Sequence, residues 1–309
     1  MARKRSSLVR PDAAVTTPVR IPFGISGSMP TSSTESRALA RRRTARTLGM
    51  LIRGGLAAMF VMLPAPVLAG SPLPRGLVYL RDIDPTIVQD IRYARSHNFV
   101  GRPIRGYLAA ECILSRPAAN ALEKVQSKLA EKNLSLIVWD CYRPKRAVDD
   151  FLQWSKDPAH TEMKTEFYPR IDKEGLFALG YLAKPSAHSR GSTVDLAIVP
   201  TAFASAPPPN LSQSLKACTS PKGQRFEDGT IDFGTGYDCL DVLANTSNAR
   251  AGAMALRNRQ TLRSYMQAAG FRPYAREWWH FELINEPFHR DGFDFDVSAS
   301  QSSTERPTR

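Results

Sequence analysis

The chain has 309 residues, of which 42% are hydrophobic and 23% charged, and 42 Lys and Arg stand against 29 Asp and Glu. This is the composition of a folded globular protein, and it excludes a collagen-like, wholly disordered or many-span membrane chain. The formal charge of +13 invites a nucleic-acid reading, but residues 1–69 hold eleven of the basic residues against Asp12 and Glu35, leaving only +4 on the other 240. With no run of Arg interleaved with aromatics, that remainder presents no obvious electrostatic footprint for a phosphate backbone, and no nucleic-acid partner is expected.

Residues 1–49 are basic and rich in Ser, Thr, Pro and Arg, too poor in apolar side chains to bury a core, and are expected to be a disordered leader. After Arg53 an uncharged stretch runs through LAAMFVML and ends Ala65-Pro66-Val67-Leu68-Ala69. A basic flank, a short apolar core and small residues three and one positions before the break predict a signal peptide over 50–69, cleaved after Ala69. Met50 is then the expected translation start, and residues 1–49 an over-extended reading of the gene. The apolar core is too short, and Pro64 and Pro66 too disruptive, for a comfortable membrane span; an uncleaved anchor is the alternative. The expected location is periplasmic or secreted, with membrane contact only through the signal peptide.

Cys112, Cys141, Cys218 and Cys239 all follow the predicted cleavage site, where oxidation is permitted. Pairing of Cys112 with Cys141 and of Cys218 with Cys239 is the expectation among three connectivities, with buried free thiols as the alternative. No CxxC is present, so a Cys-rich zinc site is not supported.

From Leu77 onward the periodic segments form one continuous stretch, read as a single domain over 70–290. Pro117 opens a helix in which Ala118, Leu122, Val125 and Leu129 recur at helical spacing. Leu134–Asp140 (LSLIVWD) reads as a buried strand, followed after Pro144 by a helix through Ala147, Val148, Phe151 and Leu152. Further elements are a strand over 193–199, a helix over 251–269 stopped by Gly270, and a strand over 279–284. Residues 200–250 form a long Pro-, Gly- and Ser-rich segment of the kind that is functional or stapled. Residues 291–309 are polar and expected to be a disordered tail. Without a regular βαβ rhythm or a Gly-rich phosphate loop, the fold class is α+β, a mainly antiparallel sheet with helices packed to one side.

Two of the five His have unusual company. His188 precedes Asp195 by seven residues, with Gly191 letting the chain turn between them, and Glu277 precedes His280 by three. Two His and one Asp supply three ligands to a tetrahedral Zn2+ and leave a fourth position for water, as in a catalytic site. The acidified water still needs a base, for which Glu277 is the candidate. In a regular strand Glu277 and His280 point to opposite faces, so Glu277 is expected on a turn or short helical segment before the strand. Arg143, just past the strand ending at Asp140, is placed to donate to an oxyanion, with Asp140 to orient it.

These residues resemble the D-alanyl-D-alanine dipeptidase family of zinc peptidases, relatives of the D,D-carboxypeptidases and of the Hedgehog fold. Its SxHxxGxAxD pattern is matched by Ser186, His188, Gly191 and Asp195, and its ExWH pattern by Glu277, Trp279 and His280. Tyr93-Ala94, Asn98-Phe99, Gly101, Tyr107, Trp139 to Pro144 and Ser189 to Ser192 match the dipeptidase branch. The resemblance implies one Zn2+ on His188, Asp195 and His280, Glu277 as base, Arg143 stabilising the transition state, and hydrolysis of D-Ala-D-Ala or a similar short D-dipeptide in peptidoglycan metabolism. A D,D-carboxypeptidase or endopeptidase on longer wall peptides is the alternative within the enzyme class, and a non-catalytic wall-binding module the alternative outside it. Thr193 departs from the pattern's Ala and is expected to tune the site. Residues 232–238 look like the family's pocket-forming loop. Ser186 is read as a supporting hydrogen-bonding residue rather than a nucleophile. His97, His160 and His289 are read as structural or surface residues, and Asp149, Asp150, Lys145 and Arg146 as a solvated helix face.

Overall fold

A computed structural model describes residues 72–204, 214–290 and 292–300. The predicted leader, signal peptide and final residues 301–309 lie outside the described residues. In chain order the elements are β1 (Leu77–Tyr79), β2 (Val88–Gln89), β3 (Ile113–Ser115), α1 (Arg116–Ala130), β4 (Leu134–Asp140) and α2 (Lys145–Lys156). These are followed by the short α3 (Lys164–Phe167), β5 (Thr193–Pro200), the short α4 (Thr201–Ala204), α5 (Ala253–Ala268), β6 (Phe271–Tyr274) and β7 (Glu277–Leu283).

The local chemistry accounts for the principal helix. Ser115 is extended at the N-cap and its hydroxyl accepts from the Ala118 amide at 3.4 Å, while Pro117 occupies the first turn, where its missing N–H costs nothing. The predicted stripe Ala118, Leu122, Val125 and Leu129 is buried. It packs on β4, α5 packs on β6, and α1 touches α5, so these two helices cover one face of the sheet. Helix α2 instead sets Phe151 and Trp154 into an aromatic cluster with Tyr93 and Phe99.

The five-stranded sheet has the order β2-β4-β5-β7-β6, and only β2 and β4 run parallel. Strands β1 and β3 form a separate antiparallel pair. The described residues all belong to one compact unit, Ala65–Arg309, as the continuous periodicity implied. Both expected disulfides form, Cys112–Cys141 and Cys218–Cys239, and the second staples the long segment between β5 and α5. Each contributes about 2–4 kcal/mol, chiefly by restricting the unfolded chain.

Three expectations are corrected. Residues 292–300, expected to be a disordered tail, lie against the domain. Val297 is fully buried and exchanges backbone hydrogen bonds with Gly106, Leu108 and Ala109, while Phe295 stacks on Tyr142. The helix face expected to be solvated is partly committed. Asp150 is buried and accepts a fork from Arg102 plus the Arg105 amide, and Arg146 pairs with Asp294 and Asp296. Glu277 is not on a turn or helical segment; it is the first residue of β7, after the two-residue hairpin turn Ala275-Arg276.

Candidate metal centre

Two irregularities bring the key side chains to one face. Strands β4 and β5 pair Val138 with Leu196 and then Asp140 with Asp195, so Trp139 is an extra residue on β4. In an unbroken ladder Trp139 would oppose Asp195; the bulge puts Asp140 there instead. On the other side Asp195 opposes His280 of β7. Directly opposed residues of neighbouring strands share a face, so Asp140, Asp195 and His280 form one row across three strands.

A second bulge solves the parity problem at Glu277. Strands β6 and β7 pair Pro273 with Phe281 and then Tyr274 with Glu277, leaving Trp278, Trp279 and His280 opposite the gap between two consecutive β6 residues. The change of phase lets Glu277 share the face of His280, with Glu277 Oε2 3.6 Å from His280 Nδ1.

His188 arrives from outside the sheet, on the 3-10 turn Ala187–Arg190. Gly191 follows at φ 74°, the left-handed turn expected of it, and a Cβ there would come within 2.9 Å of Leu77 Cδ2. The imidazole Nδ1 lies 2.8 Å from the Cys141 carbonyl oxygen, a donation that leaves Nε2 with its lone pair toward the site.

The donor atoms form a nearly equilateral triangle. His188 Nε2 is 3.3 Å from His280 Nδ1 and 3.4 Å from Asp195 Oδ1, and His280 Nδ1 is 3.1 Å from Asp195 Oδ1. Donors about 2.0–2.2 Å from a tetrahedral zinc stand about 3.3–3.6 Å apart, so the triangle fits one face of such a coordination shell. Burial would raise the Asp195 carboxyl, but the two imidazoles against it, His188 and His280, hold it well below the usual carboxylate range. Tyr237 stacks on Trp139 and donates to Asp195 Oδ2 at 3.2 Å, fixing the carboxylate from the other side.

Around this trio lies a cavity of about 370 Å³ whose walls include Arg143, Asp238, Glu277 and Tyr274. Glu277 is pushed up to about 7, mainly by burial and then by the charge of Asp195, partly offset by His280 and Arg143. That value suits a group that must accept and release a proton near neutrality. Arg143 is held by Asp140, as expected, through Nε at 2.9 Å and Nη2 at 2.7 Å, and lies 5.1 Å from the Tyr93 ring centre. Burial works against the guanidinium charge, but Asp140, Tyr93, Tyr107 and Asp195 together outweigh it and hold the group well above its usual range. Ser186 lines the same cavity.

The five predicted residues, His188, Asp195, His280, Glu277 and Arg143, therefore converge. His97 is buried between Arg92 and Glu166, while His160 and His289 are exposed. Thr193 is buried opposite Glu282, and its hydroxyl has no hydrogen-bond partner among the described residues. Individual roles not assigned from sequence belong to Tyr237 and Asp238. Asp238, at φ 52°, lines the cavity and accepts from the Tyr93 hydroxyl at 2.8 Å. Both sit at the end of the flagged segment 232–238, whose disulfide was the available signal.

A largely buried His-Asp-His donor set with a carboxylate and a guanidinium beside it, on a mainly antiparallel α+β sheet, defines a metallopeptidase. The family model described as D-ala-D-ala dipeptidase matches residues 74–204 and 201–298, and the chain belongs to that family. Its relatives named D-alanyl-D-alanine dipeptidase include one from Enterococcus faecalis, 32% identical over 227 residues, covering 73% of this chain and 100% of the relative. One from Streptomyces coelicolor is 35% identical over 209 residues, covering 68% and 92%. One from Escherichia coli is 29% identical over 226 residues, covering 72% and 93%.

Proposed function

We propose that this protein hydrolyses D-alanyl-D-alanine or a closely similar short D-dipeptide, with Zn2+ held by His188, Asp195 and His280 and with Glu277 as general base. The observation that carries the reading is the donor triangle with Glu277 Oε2 3.6 Å from one of its corners. A bound zinc ion supplies Lewis acidity toward the scissile carbonyl and acidifies water.

The chain's own residues account for the rest. Glu277 takes a proton from the attacking water and returns it to the departing amine, which its value of about 7 allows in both directions. Arg143 donates to the carbonyl oxygen as it becomes an oxyanion, and Asp140 and Tyr107 hold the geometry behind it. Asp238 receives the ammonium group of the dipeptide. It lines the cavity beside the trio, and although burial and the charge of Asp195 push its carboxyl well up, a substrate cation against it favours the ionised form.

The substrate class assigns the enzyme to peptidoglycan metabolism. Export to the periplasm or the exterior is supported by the two disulfides, which an oxidising compartment permits, and cleavage after Ala69 by the small residues Val67 and Ala69 alone. The test is Glu277→Gln. Zinc content equal to wild type with turnover lost supports the assignment, and undiminished hydrolysis of D-Ala-D-Ala refutes it. N-terminal sequencing of exported protein is expected to begin at Gly70.

A further inference from the structure

The two imidazoles of the donor set face the site with different nitrogens. His188 presents Nε2, and its Nδ1 is committed to the Cys141 carbonyl at 2.8 Å. His280 presents Nδ1, 3.1 Å from Asp195 Oδ1, so its Nε2 points across the ring, away from the trio. A neutral imidazole keeps a lone pair on one nitrogen only if the proton sits on the other, and that proton needs an acceptor.

Glu282 stands where that acceptor is needed. It lies two residues beyond His280 on β7, hence on the same face, and its Oε1 is 3.6 Å from His280 Nε2, an ion-pair separation that a small closure turns into a hydrogen bond. The carboxylate is anchored from two other elements. Arg272 of β6 reaches Oε2 at 2.6 Å, and Arg190, which ends the turn carrying His188, approaches Oε2 at 3.8 Å while pairing with Glu286 at 2.7 Å. Being across the ring from Nδ1, Glu282 is not itself a corner of the donor triangle.

We propose that Glu282 is the positioning residue of His280: by accepting from Nε2–H it fixes the tautomer and ring orientation that leave Nδ1 free to hold a metal ion. Through Arg190 the same carboxylate ties the two His-bearing elements together, so ring and turn are set against one another. The inference rests on the metal site proposed above. Carboxylates that orient metal-bound imidazoles in this way typically contribute about 10–100-fold to metal affinity.

The experiment measures Zn2+ affinity by competition with a chromophoric chelator for wild type, Glu282→Ala, Glu282→Gln and His188→Ala, and reads the His280 tautomer of zinc-loaded wild type by 15N NMR. Expected are a proton on Nε2 in wild type, a loss of about 10–100-fold in Glu282→Ala, and a smaller loss in Glu282→Gln, whose amide oxygen still accepts. A proton on Nδ1 in wild type overturns the proposal without any variant having to fold. So does wild-type affinity in Glu282→Ala, or equal loss in both Glu282 variants, which would make charge rather than the hydrogen bond the contribution. Wild type binding zinc no more tightly than His188→Ala marks the separate failure of the metal site itself and removes this inference with it.

Discussion

The role proposed for Arg143 toward the oxyanion is separable by experiment from its structural pairing with Asp140. Asp140 is fully buried, and its carboxylate is held by Arg143 at 2.7 and 2.9 Å and by the Tyr107 hydroxyl at 2.5 Å. Removing the guanidinium in Arg143→Ala strands a buried charge, which costs about 3–5 kcal/mol of stability. It also removes the proposed oxyanion donor, which is expected to cost about 10²–10³ in kcat. The double variant Arg143→Ala/Asp140→Asn neutralises the stranded charge, and is expected to recover most of the stability and none of the rate. Urea denaturation and kcat for D-Ala-D-Ala, measured on both variants with zinc content matched to wild type, decide the matter. If activity returns along with stability, Arg143 acts only by holding the fold and its role toward the oxyanion is refuted.

Glu277 must be ionised to accept a proton, so kcat/KM should fall as pH drops below its value of about 7. A cation on the neighbouring trio favours the carboxylate and places this limb at or below that value; an acid limb well above 7 would contradict the assignment. Replacing Cys112 and Cys141 by Ser removes a cross-link whose Cys141 carbonyl accepts from His188, so stability should fall by about 2–4 kcal/mol and Zn2+ affinity should fall with it. Unchanged zinc affinity would show that the Cys141 backbone is held by other means. Val297→Ala, which empties a fully buried position in the C-terminal segment, should cost about 2 kcal/mol in chemical denaturation. No change would mean that the segment is not docked in solution.

The candidate site was legible because its residues lie in short motifs: His188 and Asp195 across one Gly turn, Glu277 and His280 three apart. What the spacing could not convey was how Glu277 and His280 share a face. The answer lies in the bulge at residues 278–280, as the bulge at Trp139 explains how Asp140 comes to oppose Asp195, and hydrophobic periodicity is blind at both because these strands are buried on both sides. Support from Tyr237 and Glu282 was hidden for another reason: it depends on residues brought in from 42 positions away, or on a ring nitrogen choice that only coordinates reveal. The C-terminal segment was misread on its polarity. Its Phe293, Phe295 and Val297 alternate with Asp294, Asp296 and Ser298, a two-residue period that marks an extended segment with one buried edge. Asp150 was misread similarly, since a carboxylate on a helix gives no sign that Arg102, 48 residues earlier in the chain, will cover it.

Hydrolysis of D-Ala-D-Ala by the purified protein, before and after metal removal and after return of stoichiometric Zn2+, with L-Ala-L-Ala as control, tests the central claim most directly. Turnover of the D,D isomer should disappear with the metal, return with zinc, and be absent throughout for the L,L isomer. Undiminished hydrolysis by metal-free protein would contradict the account.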